Sequence, residues 1–206
     1  SIASYVLAGY LRDDPRNNES ALKYFLLGSF ATAFLLYGVA WIYGLTGSTN
    51  LDHIRSALLT STPPLALAGA AAALMFVGFG FKISAAPFQV WAPDVYQGAP
   101  APVAGFLSVG PKAAAFAILL RVFLTAFGPI ADRWEPFVWG CALATMIVGN
   151  FAAIQQSNIK RMLAYSSIAH AGYVLVAVTA HSEIGSAAAM FYLAAYAFTN
   201  LGAFAV

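Results

Sequence analysis

Charged residues are scarce in this sequence: 9% of its 206 residues are Asp, Glu, Lys or Arg, against roughly a quarter in a soluble domain. The ten basic residues are scattered and the net charge is only +2, which argues against nucleic-acid binding. Cys141 is the single cysteine, so the chain has no disulfide framework and no cysteine pair for a metal or an iron–sulfur cluster. Its three histidines are too dispersed for a haem site. We expect no metal and no cofactor bound by this chain.

Long apolar runs make up most of the remainder. Hydrophobic residues account for 61% of the chain, and stretches of about 20 apolar residues, each long enough to cross a bilayer as a helix, alternate with short polar breaks. The expected fold is all-α, a polytopic transmembrane helical bundle forming a single domain over residues 1–206. We expect the chain to be a fragment of a longer protein, cut within a helix at both ends. Complete spans are predicted at 20–44, 65–86, 103–127, 136–156 and 162–180, with partial spans at 1–11 and from 186 onward.

The polar breaks carry further predictions. Residues 12–19 form a loop that breaks the helix. The next break contains a short amphipathic helix, LDHIRSALL, with Asp52 as its cap, and Pro63-Pro64 prepares the start of the following span. Basic residues in alternate breaks, notably at 12–16 and 160–161, make that side of the membrane the cytoplasmic one.

The stretch from Gly78 to Lys112 differs from the other spans. Pro87 must kink or stop its helix, because proline lacks a backbone donor and clashes with the preceding turn. The run that follows, PFQVWAPDVYQGAP, is too polar for lipid contact yet still rich in apolar side chains. It predicts a second half-helix packed inside protein, since unwound backbone at membrane depth is tolerated only there or beside a wet cavity. Such broken helices mark transport pathways.

Lys112 is the clearest candidate for a functional residue. It lies roughly 16 Å along a helix beginning near Ala101, which is close to the membrane midplane. A lysine there costs a few kcal/mol or more unless it faces water, a partner or a cavity. Ser108 lies four residues earlier, and Pro111 leaves the carbonyl of Leu107 without its usual donor, so both offer polar contacts. We predict that Lys112 is functional and does not simply snorkel to the surface.

Two placements are open for Lys82. If its helix runs straight from Leu65, the lysine lies close to the far surface and can snorkel. If the helix breaks at Pro87 and the half-helix completes the crossing, Lys82 moves towards the middle of the membrane. The proline-rich run favours the break.

Lys23 and His170 each admit two interpretations. Lys23 lies within one turn of its loop, where snorkelling competes with a functional role. His170 lies mid-span on a polar stripe, either as a packing residue or as a proton carrier that changes charge near neutral pH. A second polar stripe, formed by Tyr192, Tyr196 and Asn200, is interpreted as contacts between helices.

Two lysines on adjacent spans indicate proton transfer. Removal from water disfavours the charged form of a lysine, and a lysine near neutrality accepts or releases a proton when a neighbouring charge changes. The sequence contains no recognisable pairing of nucleophile and base, no phosphate-binding loop and no metal cluster. We therefore expect a proton relay and no bond-making chemistry within this chain.

These residues also carry a resemblance that covers essentially the whole chain. The segment FKISAAPFQVWAPDVYQGAPAPVAGFLSVGPK resembles the signature of the antiporter-like membrane subunits of proton-translocating NADH-quinone oxidoreductase (respiratory complex I), specifically the subunit N family. Its pattern, K-x-x-x-x-P-F-x-x-W-x-P-D-x-Y-x-G-A-P, is long and specific. NIKRMLAYSSIAHAGYVLVA and ESALKYFLLGSF resemble two further blocks of the family.

The resemblance implies an inverted-repeat fold and a role for each candidate. Lys82 matches the lysine of the first broken helix, Lys112 the central lysine of the next span, Lys23 a lysine of the preceding span and His170 a histidine of the second repeat. Together they would form the proton relay. The helix would break near Pro87, with Lys82 in the interior.

Further family features are implied outside the chain. A glutamate before Ser1 would pair with the Lys82 position, and a second broken helix would follow Val206. Asp94, twelve residues beyond Lys82, is then expected to cap or brace the half-helix.

The implied protein is a non-redox subunit of a proton-translocating NADH:quinone oxidoreductase in the bacterial inner membrane. NADH, FMN, iron–sulfur clusters and quinone are expected in partner subunits. The expected partners are the other complex I membrane subunits and the lipid bilayer, with no nucleic acid. The alternatives are a subunit of a multisubunit Na⁺/H⁺ antiporter, the equivalent subunit of a photosynthetic NDH complex, and a scaffold whose lysines only pair structurally.

Overall fold

The computed structural model describes residues 2–60 and 65–206, and the regular elements in these residues are all helical. Six of the helices are long and apolar enough to cross a membrane, which confirms the predicted all-α transmembrane bundle. The predicted role of Pro63-Pro64 lies outside the described residues. The six crossings are Pro15–Thr46, Leu65–Gly98, Ala101–Ala126, Gly128–Ile154, Ile159–Thr179 and Glu183–Ala205.

The first crossing starts earlier than predicted. Helix α1, Ile2–Ala8, is followed by α2, Pro15–Thr46, so much of the expected loop over residues 12–19 is helical. The Asp14 side chain accepts a hydrogen bond from the Arg16 N–H and caps α2. Proline is well suited to the first helical position, because its missing donor would have no partner there. Asp-Pro therefore begins this helix and does not break it.

Helix α3, Leu51–Thr60, confirms the short amphipathic helix between the first two crossings. Its cap is Asn50, because the Asn50 Oδ1 accepts hydrogen bonds from the N–H groups of Asp52 and His53. The prediction that Asp52 is the cap is therefore wrong by two residues. The buried side chains of Ile54 and Leu58 pack α3 onto the core of the bundle.

The second crossing is broken, as predicted. Helix α4, Leu65–Ile83, stops before Pro87; a 3₁₀ turn, Phe88–Trp91, and a short helix α5, Ala92–Gly98, complete the crossing. Since both halves belong to one crossing of 34 residues, the end of α4 lies well inside the bundle. The straight-helix placement of Lys82 is thereby excluded.

Specific partners satisfy the backbone around this break. Ser84 takes a left-handed conformation with φ of 61°. The Ala86 N–H donates to Thr145 Oγ1 at 2.8 Å, and the Trp91 indole N–H donates to the carbonyl of Phe81 at 2.7 Å. Because unpaired backbone groups are costly away from water, these side chains allow an irregular segment at membrane depth.

Four helices complete the described bundle. Helix α6, Ala101–Leu120, continues into the π-helical turn Arg121–Ala126. The predicted turn before the next span is shorter than expected, because helix α7, Ala131–Ile154, begins within it and contains Pro136 near its start. Asn158 and Ser182 cap the last two helices, each accepting a backbone N–H of the first turn. The four helices are α6, Ala101–Leu120; α7, Ala131–Ile154; α8, Ile159–Thr179; and α9, Glu183–Ala205.

Glycines bring α7 and α8 close together. A Cβ atom at Gly149 would lie 2.5 Å from the backbone nitrogen of Ala169, and one at Gly172 would lie 2.7 Å from the Met146 side chain. Small residues permit this approach of membrane helices. The contact fixes the rotation of α8, and with it the direction of the polar side chains that α8 presents to α6 and α9.

Candidate functional site

Lys112 lies near the middle of α6 with 2% of its surface exposed. Its Nζ donates to the backbone carbonyl of Ser167 on α8 at 2.8 Å and contacts the Ser167 Oγ at 2.5 Å. None of the ion pairs among the described residues includes Lys112. The predicted burial of this lysine is confirmed, and its partners are neutral oxygens instead of a carboxylate.

Ser108, one turn before Lys112 on α6, is also fully buried. Its hydroxyl donates to the carbonyl of Gly105 at 2.7 Å and accepts from the Asn200 Nδ2 at 2.5 Å. Asn200 therefore ties α9 to α6 beside the lysine. The polar stripe of Tyr192, Tyr196 and Asn200, here called the α9 stripe, was interpreted as contacts between helices, and this is confirmed for Asn200.

Two buried tyrosines also approach the lysine's partner. Tyr96 on α5 and Tyr196 on α9 are 0% and 5% exposed, and both lie close to Ser167. Among the described residues, neither hydroxyl has a hydrogen-bond partner. Buried hydroxyls are usually paired with protein or with ordered water, so the region around Ser167 has unused hydrogen-bonding capacity.

His170 follows Ser167 by one turn on α8, so both residues face the same side of that helix. Its Nδ1 lies 2.6 Å from the Tyr192 hydroxyl. The ring of Tyr196 lies 5.0 Å from the imidazole and the ring of Tyr173 lies 5.5 Å from it. The α9 stripe therefore extends from the serines beside Lys112 to His170.

Lys82 lies in the last turn of α4, next to the break, and is half-buried. Its Nζ lies 5.0 Å from the ring centroids of Tyr5 and Tyr24 and 5.7 Å from that of Phe81, and it donates weakly to the Tyr24 hydroxyl at 3.4 Å. Aromatic faces stabilise an ammonium group without supplying a full negative charge. The expected interior location of Lys82 is confirmed.

A cavity lies beside Lys82. It encloses about 360 Å³ between α1, α2, α4 and α6 and is partly open to the outside. Lys82 and Thr32 are among its polar lining residues, and Pro111, the neighbour of Lys112, lines it on the α6 side. Lys82 is therefore accessible from outside the described helices, whereas Lys112 does not line the cavity and is enclosed.

Lys23 lies in a different environment, at the end of the bundle where α2 begins. Its side chain is 43% exposed, and its Nζ lies 2.7 Å from Glu19 and 2.9 Å from Asp94. Asp94 also accepts from the Arg161 guanidinium at 2.6 Å. The Asp94 carboxylate therefore joins α5 to both α2 and α8, which confirms that this acid braces the half-helix. Lys23 is not brought next to Lys82 or Lys112.

The polar contacts expected for Lys112 were the Ser108 hydroxyl and the Leu107 carbonyl, but its hydrogen-bond partner is Ser167 on α8. Ser167 was not predicted as a partner of Lys112, and Tyr196 was interpreted only as a contact between helices. A signal was present, because Ser and Asn residues spaced by about one turn in otherwise apolar helices mark the faces that meet inside a bundle. Which faces meet depends on the rotation of each helix, which a single sequence does not specify.

Comparisons with known proteins agree on the family. The family described as NADH:quinone oxidoreductase/Mrp antiporter, transmembrane, matches residues 1–206. The chain is 74% identical to NADH-quinone oxidoreductase subunit N 1 from Solibacter usitatus, covering 100% of this chain and 42% of that protein. A chain of respiratory complex I from Thermus thermophilus with bound aureothin has a TM-score of 0.83 at 42% identity, covering 98% of this chain and 42% of its own length. A chain of the Mrp complex from Dietzia sp. has a TM-score of 0.86 at 25% identity, covering 98% of this chain and 37% of its own length.

Proposed function

The chain belongs to the NADH:quinone oxidoreductase/Mrp antiporter transmembrane family, and we propose that it moves protons across the membrane as part of an NADH-quinone oxidoreductase. Because the chain spans about 42% of the curated relative's length, this activity is proposed for the whole protein to which these helices belong. Electron transfer from NADH to quinone is assigned to partner subunits that bind NADH, FMN, iron–sulfur clusters and quinone. The proposed partners include sibling membrane subunits, within the bacterial inner membrane.

The observation that carries this proposal is the enclosure of Lys112. An ammonium group that is 2% exposed at the centre of a membrane helix is costly, and its contacts with Ser167 are to neutral oxygens. Such a lysine is poised to change its protonation state when a nearby charge moves. Structural lysines at this depth are expected to pair with carboxylates or reach the surface, and Lys112 does neither among the described residues.

The other candidates take different positions in the proposed path. Lys82 would exchange protons at the partly open cavity beside the break, and His170 would receive them on the far side of Lys112. Lys23 would act at the exposed end of the bundle, where its ion pair with Asp94 responds to charge changes in the half-helix. The proposed relay thus consists of four residues of this chain: Lys82, Lys112, His170 and Lys23.

The test compares Lys112→Met with Arg121→Met in the complete complex. Both variants remove one cation from the same crossing, but Arg121 is exposed whereas Lys112 is enclosed. We expect Lys112→Met to lower NADH-driven proton uptake into membrane vesicles by at least about tenfold, as for loss of a proton-transfer group, in a complex that still assembles. Arg121→Met should pump like the wild type. Normal pumping with weakened assembly in Lys112→Met would instead assign the lysine a scaffold role.

A Na⁺/H⁺ antiporter is the second candidate function, because the Mrp complex shares the fold with a TM-score of 0.86. Sequence identity favours the quinone-linked complex, at 74% to a subunit N protein against 25% to the Mrp chain. Purification of the whole protein from its native membrane separates the two. NADH-oxidising partners should copurify with it, and their absence together with sodium-dependent proton exchange would support the antiporter.

A further inference from the structure

The Tyr196 hydroxyl is buried between two groups of polar residues without joining either. Tyr196 is 5% exposed, and its hydroxyl has no hydrogen-bond partner among the described residues. On one side it lies close to Ser167 and Ser108, the serines beside Lys112. On the other side its ring lies 5.0 Å from the imidazole of His170.

An unpaired hydroxyl in such a place is unfavourable for stability. A buried donor that finds no acceptor loses its hydration without compensation, and a phenylalanine of the same shape would avoid that loss. Packing alone therefore does not explain a tyrosine here. A hydroxyl is, however, both a donor and an acceptor, so it can accept a proton on an oxygen lone pair while it releases its own hydroxyl proton.

The position of Tyr196 also distinguishes it from Tyr96, the other unpaired tyrosine near Ser167. The ring of Tyr96 packs against Trp91 and Phe204, whereas that of Tyr196 packs against His170. Of these two tyrosines, only the one on α9 has its hydroxyl close to Ser167 and its ring against the histidine.

We propose that Tyr196 carries protons between Lys112 and His170, an inference that rests on the proposed proton-translocating function. The ammonium of Lys112 gives one proton to the Ser167 hydroxyl, which passes its own proton to Tyr196 as it accepts. Tyr196 in turn releases its hydroxyl proton to the imidazole, directly or through a water molecule. Each hydroxyl gains one proton and loses one, so only Lys112 becomes neutral and only His170 becomes charged.

The experiment replaces single hydroxyl groups in the complete complex. Tyr196→Phe removes the proposed carrier and keeps the ring. Tyr173→Phe is the matched control, because the Tyr173 ring also lies beside His170 while its hydroxyl is engaged by Asn150 on the outer face of the helix pair. NADH-driven proton uptake and the thermal unfolding midpoint are measured for each, together with Lys112→Met.

We expect Tyr196→Phe to lower proton uptake by at least about tenfold while the unfolding midpoint stays equal or rises, because an unpaired hydroxyl has been removed. Tyr173→Phe should pump like the wild type. Wild-type pumping by Tyr196→Phe would overturn the inference. If Lys112→Met abolishes pumping in the same preparation, the proposed function survives that outcome; if Lys112→Met also pumps normally, the proposed function fails as well.

If the Tyr196→Phe complex fails to assemble, a second measurement tests the proposal. Incorporation of 3,5-difluorotyrosine in place of Tyr196 keeps the ring and the hydroxyl but makes the hydroxyl more acidic. A carrier must respond with a changed rate of proton uptake, because its proton affinity enters the transfer step. An unchanged rate would contradict the proposal, since a purely structural tyrosine would be indifferent to this acidity.

Discussion

The break in the second crossing depends on a side chain from another helix, and the substitution Thr145→Val tests how it is held. Thr145 on α7 is fully buried, and its Oγ1 accepts the Ala86 N–H at 2.8 Å. The hydroxyl also donates to the Cys141 carbonyl at 2.5 Å, which, within α7, already accepts a backbone N–H. Valine preserves the shape and removes the hydroxyl, so the substitution leaves the Ala86 N–H as the principal unpaired group.

The expected magnitude follows from that unpaired donor. A buried N–H that loses its acceptor costs about 1–3 kcal/mol, which corresponds to a change of about 5- to 150-fold in an equilibrium constant. The unpaired N–H destabilises the closed conformation of the break. The substitution therefore shifts the equilibrium between this conformation and a locally opened one around Ala86. Thr145→Ser keeps the acceptor and loses only a methyl group, so it should leave this equilibrium nearly unchanged.

Hydrogen exchange in the assembled complex measures this opening directly. Peptides covering the break, from the end of α4 through the 3₁₀ turn, should exchange about 5- to 150-fold faster at the Ala86 amide in Thr145→Val, with exchange in α9 unchanged. The Thr145→Ser complex should match the wild type. Equal protection of Ala86 in the valine and serine variants would refute the reasoning, because the hydroxyl would then contribute nothing to the break.

Two further predictions concern the packing and bracing of the same helices. Gly149→Ala places a Cβ 2.5 Å from the α8 backbone and should destabilise the complex by about 1–3 kcal/mol. Gly140→Ala is the control, because a Cβ there has nothing within 4 Å, and it should not destabilise the complex. Equal thermal unfolding midpoints for the two variants would contradict this prediction. Asp94→Asn weakens the ion pairs to both Lys23 and Arg161, while Lys23→Met leaves the Arg161 pair intact. The yield of assembled complex should therefore fall more for Asp94→Asn, and the reverse order would exclude Asp94 as the shared brace.

The features predicted correctly from the sequence depend on local rules. The break before Pro87 follows from the chemistry of proline, and the burial of Lys112 follows from counting residues along a helix of known rise. The order and approximate positions of the first five crossings follow from the length of the apolar runs, whereas the sixth, Glu183–Ala205, was predicted only as a partial span. Each of these properties is contained within one segment, so it does not require knowledge of the neighbouring helices.

The features that were not predicted from the sequence depend either on two local rules that give opposite predictions or on how separate helices pack together. Asp14 and Pro15 resemble a helix breaker, but the same pair begins α2, because a capping aspartate followed by proline suits a first turn. The contact between Lys112 and Ser167 requires the correct rotation of both α6 and α8. That rotation of α8 is set by the close approach of glycines on α7 and α8, which no single segment reveals.

The three lysines of the proposed relay, Lys23, Lys82 and Lys112, differ in whether their partners favour the charged form. Lys23 lies between the carboxylates of Glu19 and Asp94, and nearby negative charge favours an ammonium. The rings around Lys82 also favour the cation, by about 2 kcal/mol when it is desolvated. The Ser167 hydroxyl beside Lys112 can accept from an ammonium and can equally donate to a neutral amine. Lys112 is thus the lysine whose hydrogen bonding survives a change of protonation state, a property that a relay requires and a structural ion pair lacks.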